Sequence, residues 1–278
     1  MSELPDSISR GRLSALVDTL EIENEYATAS LSMWGGHMLS FTPKHDQRER
    51  LFKSEKIVLD GTKSLRAGVP VCWPWFAQRE GYQKHGYVRI RPWQILSATD
   101  TDEYTELVIA PKEMQGAGFQ GNATLVLTVQ IGKTLNLQLT TTNIGATAFD
   151  FQAALHTYFA LDDVNQVELK GLSGTYSDKT RDWAMLETPD PYRFTEETDR
   201  IHLNPVKRVN LVEGEQQTVV ESAGHDSIVV WNPWQENAKG MRDLTDDGYL
   251  KMLCVETAVT QGHTLEPSQT HTLTQVIS

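Results

Sequence analysis

The 278-residue sequence contains only two cysteines, Cys72 and Cys254, and no Cys-x-x-Cys pair. Two cysteines cannot build a disulfide framework or a cysteine-rich zinc site, so we expect both to be free thiols in a reducing compartment. No apolar stretch approaches the length of about 18 residues that a membrane-spanning helix requires, and residues 1–20 lack the basic start and long apolar core of a secretion signal. The sequence therefore predicts a cytoplasmic protein without a membrane partner.

Local motifs for metal and nucleophile chemistry are also absent. The histidines are spaced so widely that neither His-x-His nor His-Glu-x-x-His occurs, and ligands for a resident metal would have to come from scattered positions. The Gly-x-Ser-x-Gly signature of many serine hydrolases is missing as well. We therefore expect no metal, and an activity that survives a chelator.

Positive charge is scarce in this chain. Lysines and arginines number 25 against 37 aspartates and glutamates, which gives a formal net charge of −12. An acidic surface repels nucleic acid and anionic membranes, so neither is an expected partner. A small anionic ligand would need a local cluster of cations that departs from the charge of the whole chain.

Most of the chain shows the alternating apolar pattern and β-branched residues of short strands. The predicted strands are residues 26–32, 37–41, 56–59, 94–98, 105–110, 123–131, 149–161, 166–169, 217–221, 227–231, 251–258 and 270–277. Residues 9–20 instead have leucines at helical spacing and predict one short helix. Residues 173–198 are polar and predict a long loop.

This pattern favours an all-β fold over a doubly wound one, because no helices alternate with the strands. More than a dozen strands do not fit one flat sheet, so we predict a β-sandwich of large antiparallel sheets that forms a single domain over residues 1–278. The clearest hairpin spans residues 123–143 and turns at Gly132 and Lys133. Its two apolar rows are Leu125, Leu127 and Val129, and Leu135, Leu137 and Leu139.

Residues 64–93 predict the floor of a binding site, because they concentrate arginine, tryptophan, glycine and proline. The planar forks of Arg66, Arg89 and Arg91 suit a phosphate or a carboxylate, and the rings of Trp73 and Trp75 suit a sugar. The alternative is that the aromatic side chains fill the core and the arginines are solvated. An anionic sugar would satisfy both features of the segment.

Two ionisable residues lie inside apolar strands. His156 occurs in FQAALHTYFAL, and Glu256 occurs in MLCVETAV. A buried carboxylate must be paired or functional, whereas a single histidine in a strand is more often a hydrogen-bonded core residue. Facing each other across a cleft, the two could act as an acid–base pair, and the carboxylate should favour protonated His156.

Six segments resemble the hexose-6-phosphate mutarotases (glucose-6-phosphate 1-epimerases) of the aldose 1-epimerase superfamily. They are RAGVPVCWPWF, HGYVR, LHTYFAL, DRIHLNP, VVWNPW and DDGYLKMLCVETA, in this order along the chain. The resemblance extends from about Trp34 to Thr272. Ala67 and Tyr87 depart from the residues that the family commonly has there, glycine and phenylalanine.

The resemblance implies a galactose-mutarotase-like β-sandwich that interconverts the α and β anomers of a hexose 6-phosphate, glucose 6-phosphate being the expected substrate, without a cofactor. Glu256 would take the proton of the anomeric hydroxyl while His156 protonates the ring oxygen. The implied substrate-binding residues are Arg66, His85, Arg89, Asp199 and Trp231, with both arginines on the phosphate. We expect a monomer.

Two other functions fit parts of this pattern. A carbohydrate-binding β-sandwich without catalysis would suit a tryptophan-lined face, but it does not explain the pair His156 and Glu256. A neutral-aldose mutarotase would use the same pair, and Arg66 and Arg89 are the residues that separate it from a sugar-phosphate enzyme.

Overall fold

The computed structural model describes residues 4–278, in which antiparallel strands dominate. The strands in chain order are β1 (Ile8–Ser14), β2 (Val17–Glu23), β3 (Ala27–Ser32), β4 (His37–Pro43), β5 (Val71–Cys72), β6 (Trp93–Asp100), β7 (Thr105–Pro111), β8 (Ala123–Ile131), β9 (Leu135–Asn143), β10 (Phe149–Leu155), β11 (Tyr158–Ala160), β12 (Val167–Lys170), β13 (Thr175–Asp178), β14 (Ala184–Glu187), β15 (Thr198–His202), β16 (Arg208–Glu213), β17 (Gln216–Ala223), β18 (Ser227–Asn232), β19 (Met252–Leu265) and β20 (Thr270–Ile277).

These strands form three sheets. The first has the order β1-β2-β3-β4. The second has the order β14-β13-β15-β18-β19-β10-β5, with β11 also paired to β19, and the third has the order β12-β16-β17-β20-β9-β8-β7-β6. The predicted all-β class, with large antiparallel sheets, is confirmed.

Helices are few and short. One α-helix, α1 (Trp234–Gly240), follows β18, and the 3-10 helices are Val88–Ile90, Val164–Gln166, Lys179–Arg181 and Gly248–Lys251. Within residues 4–278, no helix is long and apolar enough to cross a lipid bilayer.

The predicted hairpin of β8 and β9 forms, and its apolar rows pair with each other. Leu127 faces Leu139, Val129 faces Leu137 and Ile131 faces Leu135. Alternate residues of both strands are buried while those between them are partly exposed, as expected for a sheet with one face on the core. Apolar side chains from all three sheets meet in this core.

Strand β19 is covered on both faces. Every residue from Met252 to Val259 is buried. Leu253 and Val255 join the core shared by the sheets, whereas Cys254 belongs to a separate apolar cluster. Because side chains alternate along a strand, Glu256 lies on the same face as Cys254. Cys254 and Glu256 therefore lie on the face of the second sheet that is directed away from the shared core.

Three local predictions are wrong. Residues 9–20 form the β1–β2 hairpin rather than a helix, because pairing of β2 with β3 and burial of Val17, Leu20 and Ile22 override the helical spacing, which leaves Leu16 63% exposed at the turn. Residues 56–59 contain no strand. The predicted loop at residues 173–198 contains β13 and β14, which extend the second sheet at its edge.

The letters of the dinucleotide fingerprint Gly-x-Gly-x-x-Gly occur at residues 116–121 (GAGFQG). That fingerprint binds phosphate only where a strand leads into a helix N-terminus. Here the segment is a loop between β7 and β8, which pair antiparallel. The fold therefore gives this segment no dinucleotide-binding geometry.

Buried His202 predicts an acid-sensitive fold. Its ring nitrogens lie 3.3 Å from Thr188 Oγ1 and 3.1 Å from Tyr192 Oη, and burial together with the charge of Arg200 lowers its pKa to about 3. The unfolded chain has a histidine pKa near 6.5 and binds a proton that the folded chain excludes, so the free energy of unfolding falls as pH drops from about 6.5 toward 3. One such group contributes at most about 1.4 kcal/mol per pH unit.

The variant His202→Asn should therefore be less stable than the wild type near neutral pH but lose stability less steeply on acidification. Urea unfolding at several pH values between about 7 and 4.5 measures this slope. The control is His45→Asn, because the side chain of His45 is 59% exposed. Parallel slopes for the wild type and His202→Asn would contradict the prediction.

Candidate active site

His156 and Glu256, the two residues predicted to act as an acid–base pair, lie side by side in the second sheet. His156 directly follows β10, and Glu256 lies in β19, which pairs with β10 through Leu155 and Thr257. His156 Nε2 is 3.3 Å from Glu256 Oε1, and the two side chains are 8% and 1% exposed. Adjacent strands therefore hold a titratable pair almost out of water.

Packing and a backbone hydrogen bond fix the imidazole of His156. The ring stacks on Tyr158 with centroids 5.1 Å apart, and it meets the Trp231 ring edge to face with centroids 6.2 Å apart. The backbone N–H of His156 donates to the carbonyl oxygen of Pro70 at 3.0 Å. The segment predicted as the floor of the site therefore contacts the pair directly.

Each member of the pair has a buried polar atom without a hydrogen-bond partner among residues 4–278. These atoms are His156 Nδ1 and Glu256 Oε2. Buried polar atoms are nearly always hydrogen-bonded in folded proteins, so exceptions commonly mark a place for a ligand or an ordered water. Glu256 Oε2 can accept a hydrogen bond from a ligand hydroxyl without losing a protein partner.

Burial controls the protonation of the pair. It raises the pKa of Glu256 well above its usual value and lowers the pKa of His156 well below its usual value, because each charged form loses hydration. The charge of Arg89 lowers the pKa of His156 further. Both shifts favour the uncharged forms, so burial opposes the protonation of His156 that the sequence predicted from the nearby carboxylate.

His85 provides a second imidazole beside the pair. Its ring lies 5.3 Å from the His156 ring, and the residue is 6% exposed. The backbone N–H of Ala77 donates to His85 Nδ1 at 3.2 Å, so the neutral ring carries its proton on Nε2. Burial, reinforced by Arg89, lowers the pKa of His85 well below its usual value. His85 is therefore a neutral hydrogen-bond donor beside the pair.

Two of the cations around the pair already have carboxylate partners. Arg66 Nη2 donates to Asp243 Oδ2 at 3.0 Å and to Oδ1 at 3.1 Å, and its Nη1 donates to Tyr158 Oη at 2.9 Å. Lys179 Nζ is 3.0 Å from Asp199 Oδ1. The structure thus places Arg66 and Asp199 at the site, where each already has an ion-pair partner.

Arg89 and Lys84 form no ion pair in the part of the chain that the structure describes. Arg89 lies in the 3-10 helix Val88–Ile90, where its Nη2 donates to the Lys84 carbonyl oxygen at 3.1 Å and its buried Nε has no partner. Lys84 is exposed. The charges of both residues act on the buried carboxyl of Glu256 and lower its pKa, against the larger effect of burial. They are the cations at the site that remain unneutralised.

The aromatic residues divide between the site and the core. Trp231, which the resemblance implies as a substrate-binding residue, is partly exposed and lies near His156. Trp73 and Trp75 are 0% and 4% exposed and both pack against Tyr87. The interpretation of these two rings as open faces for a sugar is therefore wrong, because they are enclosed by the protein.

Sequence reasoning missed Tyr158 and Cys254, although a signal was available. Each lies two residues from a member of the pair, and residues two apart in a strand share a face. Lys84 could have been found beside the HGYVR segment, which it precedes. Lys179 and Asp243 come from segments without a recognisable pattern, so only the fold brings them to the site.

The site also brings together three potential metal ligands. His156, Cys254 and Glu256 each supply one donor atom. These three atoms lie within 4.8 Å of one another, and all three residues are buried. Both cysteines of the chain are free and buried. The ligands are scattered in sequence, and strand pairing is what collects them.

Comparison with known proteins places these features in a family. The family described as "Aldose 1-epimerase" matches residues 18–278. A relative from Escherichia coli K12 is 30% identical over 266 residues, covering 93% of this chain and 88% of the relative. Another, from Cenchrus ciliaris, is 31% identical over 262 residues, covering 87% and 78%. Both carry the name "Putative glucose-6-phosphate 1-epimerase".

Solved structures agree in fold. A crystal structure from Salmonella typhimurium, described as a "putative mutarotase", has a TM-score of 0.91 at 28% identity and covers 100% of this chain and 95% of its own. A galactose 1-epimerase from Lactobacillus acidophilus has a TM-score of 0.75 at 12% identity, covering 99% and 98%, and supports the fold alone. The predicted galactose-mutarotase-like sandwich is confirmed. The protein is a sugar epimerase of the aldose 1-epimerase family.

Proposed function

We propose that this protein interconverts the α and β anomers of a hexose 6-phosphate, with glucose 6-phosphate as the expected substrate. The observation that carries the proposal is the buried contact between His156 Nε2 and Glu256 Oε1 at 3.3 Å, next to the unpaired cations Arg89 and Lys84. An acid–base pair suits ring opening, and unpaired cations in an acidic protein suit a phosphate group. The names of the relatives from Escherichia coli and Cenchrus ciliaris support the same substrate.

Ring opening requires two proton transfers. Ionised Glu256 takes the proton of the anomeric hydroxyl, the C1–O1 bond becomes a carbonyl, and the bond between C1 and the ring oxygen breaks. The ring oxygen takes its proton from protonated His156. Rotation about C1–C2 turns the other carbonyl face toward the hydroxyl. Closure reverses both transfers and yields the opposite anomer.

The pair holds one proton at every stage of this cycle. The proton is on His156 while the sugar is cyclic and on Glu256 while the sugar is open. Burial favours the second arrangement in the free protein. The unliganded pair therefore has the protonation state that the mechanism assigns to the open aldehyde. When a cyclic sugar binds, the proton must move from Glu256 to His156.

We assign the phosphate first to Arg89, since its side chain has no carboxylate to displace. Lys84 adds a second charge beside it. Arg66, which the sequence also predicts as a phosphate contact, would first have to leave Asp243. His85 and Asp199 are assigned to the sugar hydroxyls, and Trp231 to the face of the ring.

Loss of either proton-transfer group should abolish most turnover. Glu256→Gln and His156→Asn keep size and some hydrogen bonding but prevent proton transfer, so each should lower kcat by about 10²–10⁴-fold. The double variant should be little worse than the poorer single variant, because both groups serve one step. Anomer exchange followed by NMR measures the rates, and thermal melts check folding.

His202→Asn is the matched control, since it replaces another buried histidine of the second sheet that has no contact with the pair. Its folded fraction should turn over at the wild-type rate. Near-wild-type exchange in a folded Glu256→Gln protein would overturn the mechanism, and full additivity in the double variant would show that the two groups act separately.

Removal of Arg89 should change substrate selectivity. A charged hydrogen bond contributes about 1.5–3 kcal/mol, so Arg89→Ala should lower kcat/KM for glucose 6-phosphate by about ten- to a hundredfold and affect glucose much less. Lys84→Met should act in the same direction. Arg66→Ala should also weaken sugar-phosphate use, but it additionally frees Asp243 and Tyr158.

Arg91→Ala is the control for charge, because Arg91 lies over the Tyr87 ring at 4.2 Å and donates to the carbonyl oxygens of Glu113 and Gln115. It should leave the preference for the phosphate sugar unchanged. Equal losses on glucose and glucose 6-phosphate in Arg89→Ala would mean that Arg89 has a structural role.

The protonation of His156 can be measured directly. Burial and Arg89 both lower its pKa, so its imidazole should stay neutral as pH falls through 6.5, and Arg89→Gln should raise its pKa. NMR of protein labelled with ¹⁵N-histidine, assigned with His156→Asn, follows the titration. Arg79→Gln is the control, because Arg79 lies over the Trp75 ring instead. A wild-type His156 that titrates near 6.5 would contradict the prediction.

A further inference from the structure

Cys254 has no role in the proposed mechanism. Together with His156 and Glu256, it forms a cluster of three potential metal donors. Cys254 and Glu256 lie two residues apart on one face of β19, and His156 reaches the same place from the link between β10 and β11. The three donor atoms lie within 4.8 Å of one another. Cys254 is 0% exposed, so its thiol is enclosed by the protein beside the pair.

The spacing of the pair matches the coordination geometry of zinc. Zinc–nitrogen and zinc–oxygen bonds are each about 2.0 Å long, so ligand atoms 3.3 Å apart subtend an angle of about 110° at the metal, close to the tetrahedral value. Cys254 Sγ lies within 4.8 Å of both of these atoms, and a zinc–sulfur bond is about 2.3 Å long, so metal binding would draw the thiolate toward the pair as the third ligand. Three protein ligands leave a fourth position for water.

The chemistry of the donors also favours zinc over harder cations. A thiolate with an imidazole and a carboxylate is a typical zinc ligand set, whereas magnesium and calcium take oxygen ligands. Glu256 Oε2 is buried and has no hydrogen-bond partner among residues 4–278, so one carboxylate oxygen is available. A thiolate and a carboxylate together neutralise the two charges of the ion, which offsets repulsion from Arg89 and Lys84.

We propose that His156, Cys254 and Glu256 form a reversible binding site for Zn²⁺ that competes with the sugar. The competition rests on the proposed function, because the metal would occupy the lone pairs of both proton-transfer groups. The binding itself does not depend on that function. The ion acts as an inhibitor here, and the proton transfers proceed without it.

Metal binding is tested first, in the purified full-length protein after removal of metals. Co²⁺ replaces Zn²⁺ as a spectroscopic probe, since a cobalt–thiolate bond gives an intense absorption band in the near ultraviolet that histidine and carboxylate ligands do not. Competition with a chromogenic chelator then measures Zn²⁺ affinity. Cys254→Ser should lose the cobalt band and bind Zn²⁺ at least tenfold more weakly.

Cys72→Ser is the matched control. Cys72 is the other free and buried cysteine, it lies in the same sheet, and it is not part of the cluster. This variant should keep the cobalt band and the wild-type affinity. Cys254→Ala serves as a second variant if the serine form does not fold. A wild type without the band, or a Cys254→Ser protein that binds Zn²⁺ as tightly as the wild type, would overturn the site.

Inhibition is tested separately by anomer exchange. Zn²⁺ should slow the wild type reversibly, EDTA should restore the rate, and added glucose 6-phosphate should lower the apparent affinity for the metal. Cys254→Ser should need at least tenfold more Zn²⁺ for the same effect. A zinc-loaded wild type with an unchanged rate would overturn the competition. A protein with the cobalt band but no epimerase activity would refute the proposed function and leave the metal site standing.

Discussion

The burial of β19 on both faces is the constraint on which the site depends. One face of this strand completes the core between the sheets through Leu253 and Val255, and the other face carries Cys254 and Glu256. Because the core holds the strand in place, it also supports the position and the low hydration of the Glu256 carboxyl group on the opposite face.

The charge near the site is opposite in sign to the net charge of the chain. The protein as a whole has a formal charge of −12, yet Arg66, Lys84, Arg89 and Lys179 gather around one buried carboxyl group. Asp243 and Asp199 neutralise two of these four cations. Such pairing keeps the cations compatible with a partly buried site and leaves a limited excess of positive charge for an anionic group.

The sequence predicted elements well where one local pattern determined the structure. The β8–β9 hairpin was predicted correctly, and its register is well defined because a slip by one residue would turn its leucines to solvent. The helix predicted for residues 9–20 was wrong because the spacing of their leucines fits a helix as well as a hairpin. Pairing of β2 with β3, which the local pattern does not show, selects the hairpin. Within the site, His156 and Glu256 could be identified from buried charge and family resemblance. The ion pairs Arg66–Asp243 and Lys179–Asp199 could not, because their partners are distant in sequence and come from irregular segments.

The short distance between His156 Nε2 and Glu256 Oε1 has a consequence for exchange with the solvent. Under the proposed mechanism, every proton that leaves the sugar stays within one enclosed pair and returns during the same turnover. The enzyme therefore has no need of water or buffer ions as proton carriers. Its rate should be insensitive to buffer concentration, unlike anomer exchange in free solution, which general acids and bases accelerate. The enclosure thus isolates the sugar's proton chemistry from the composition of the surrounding medium.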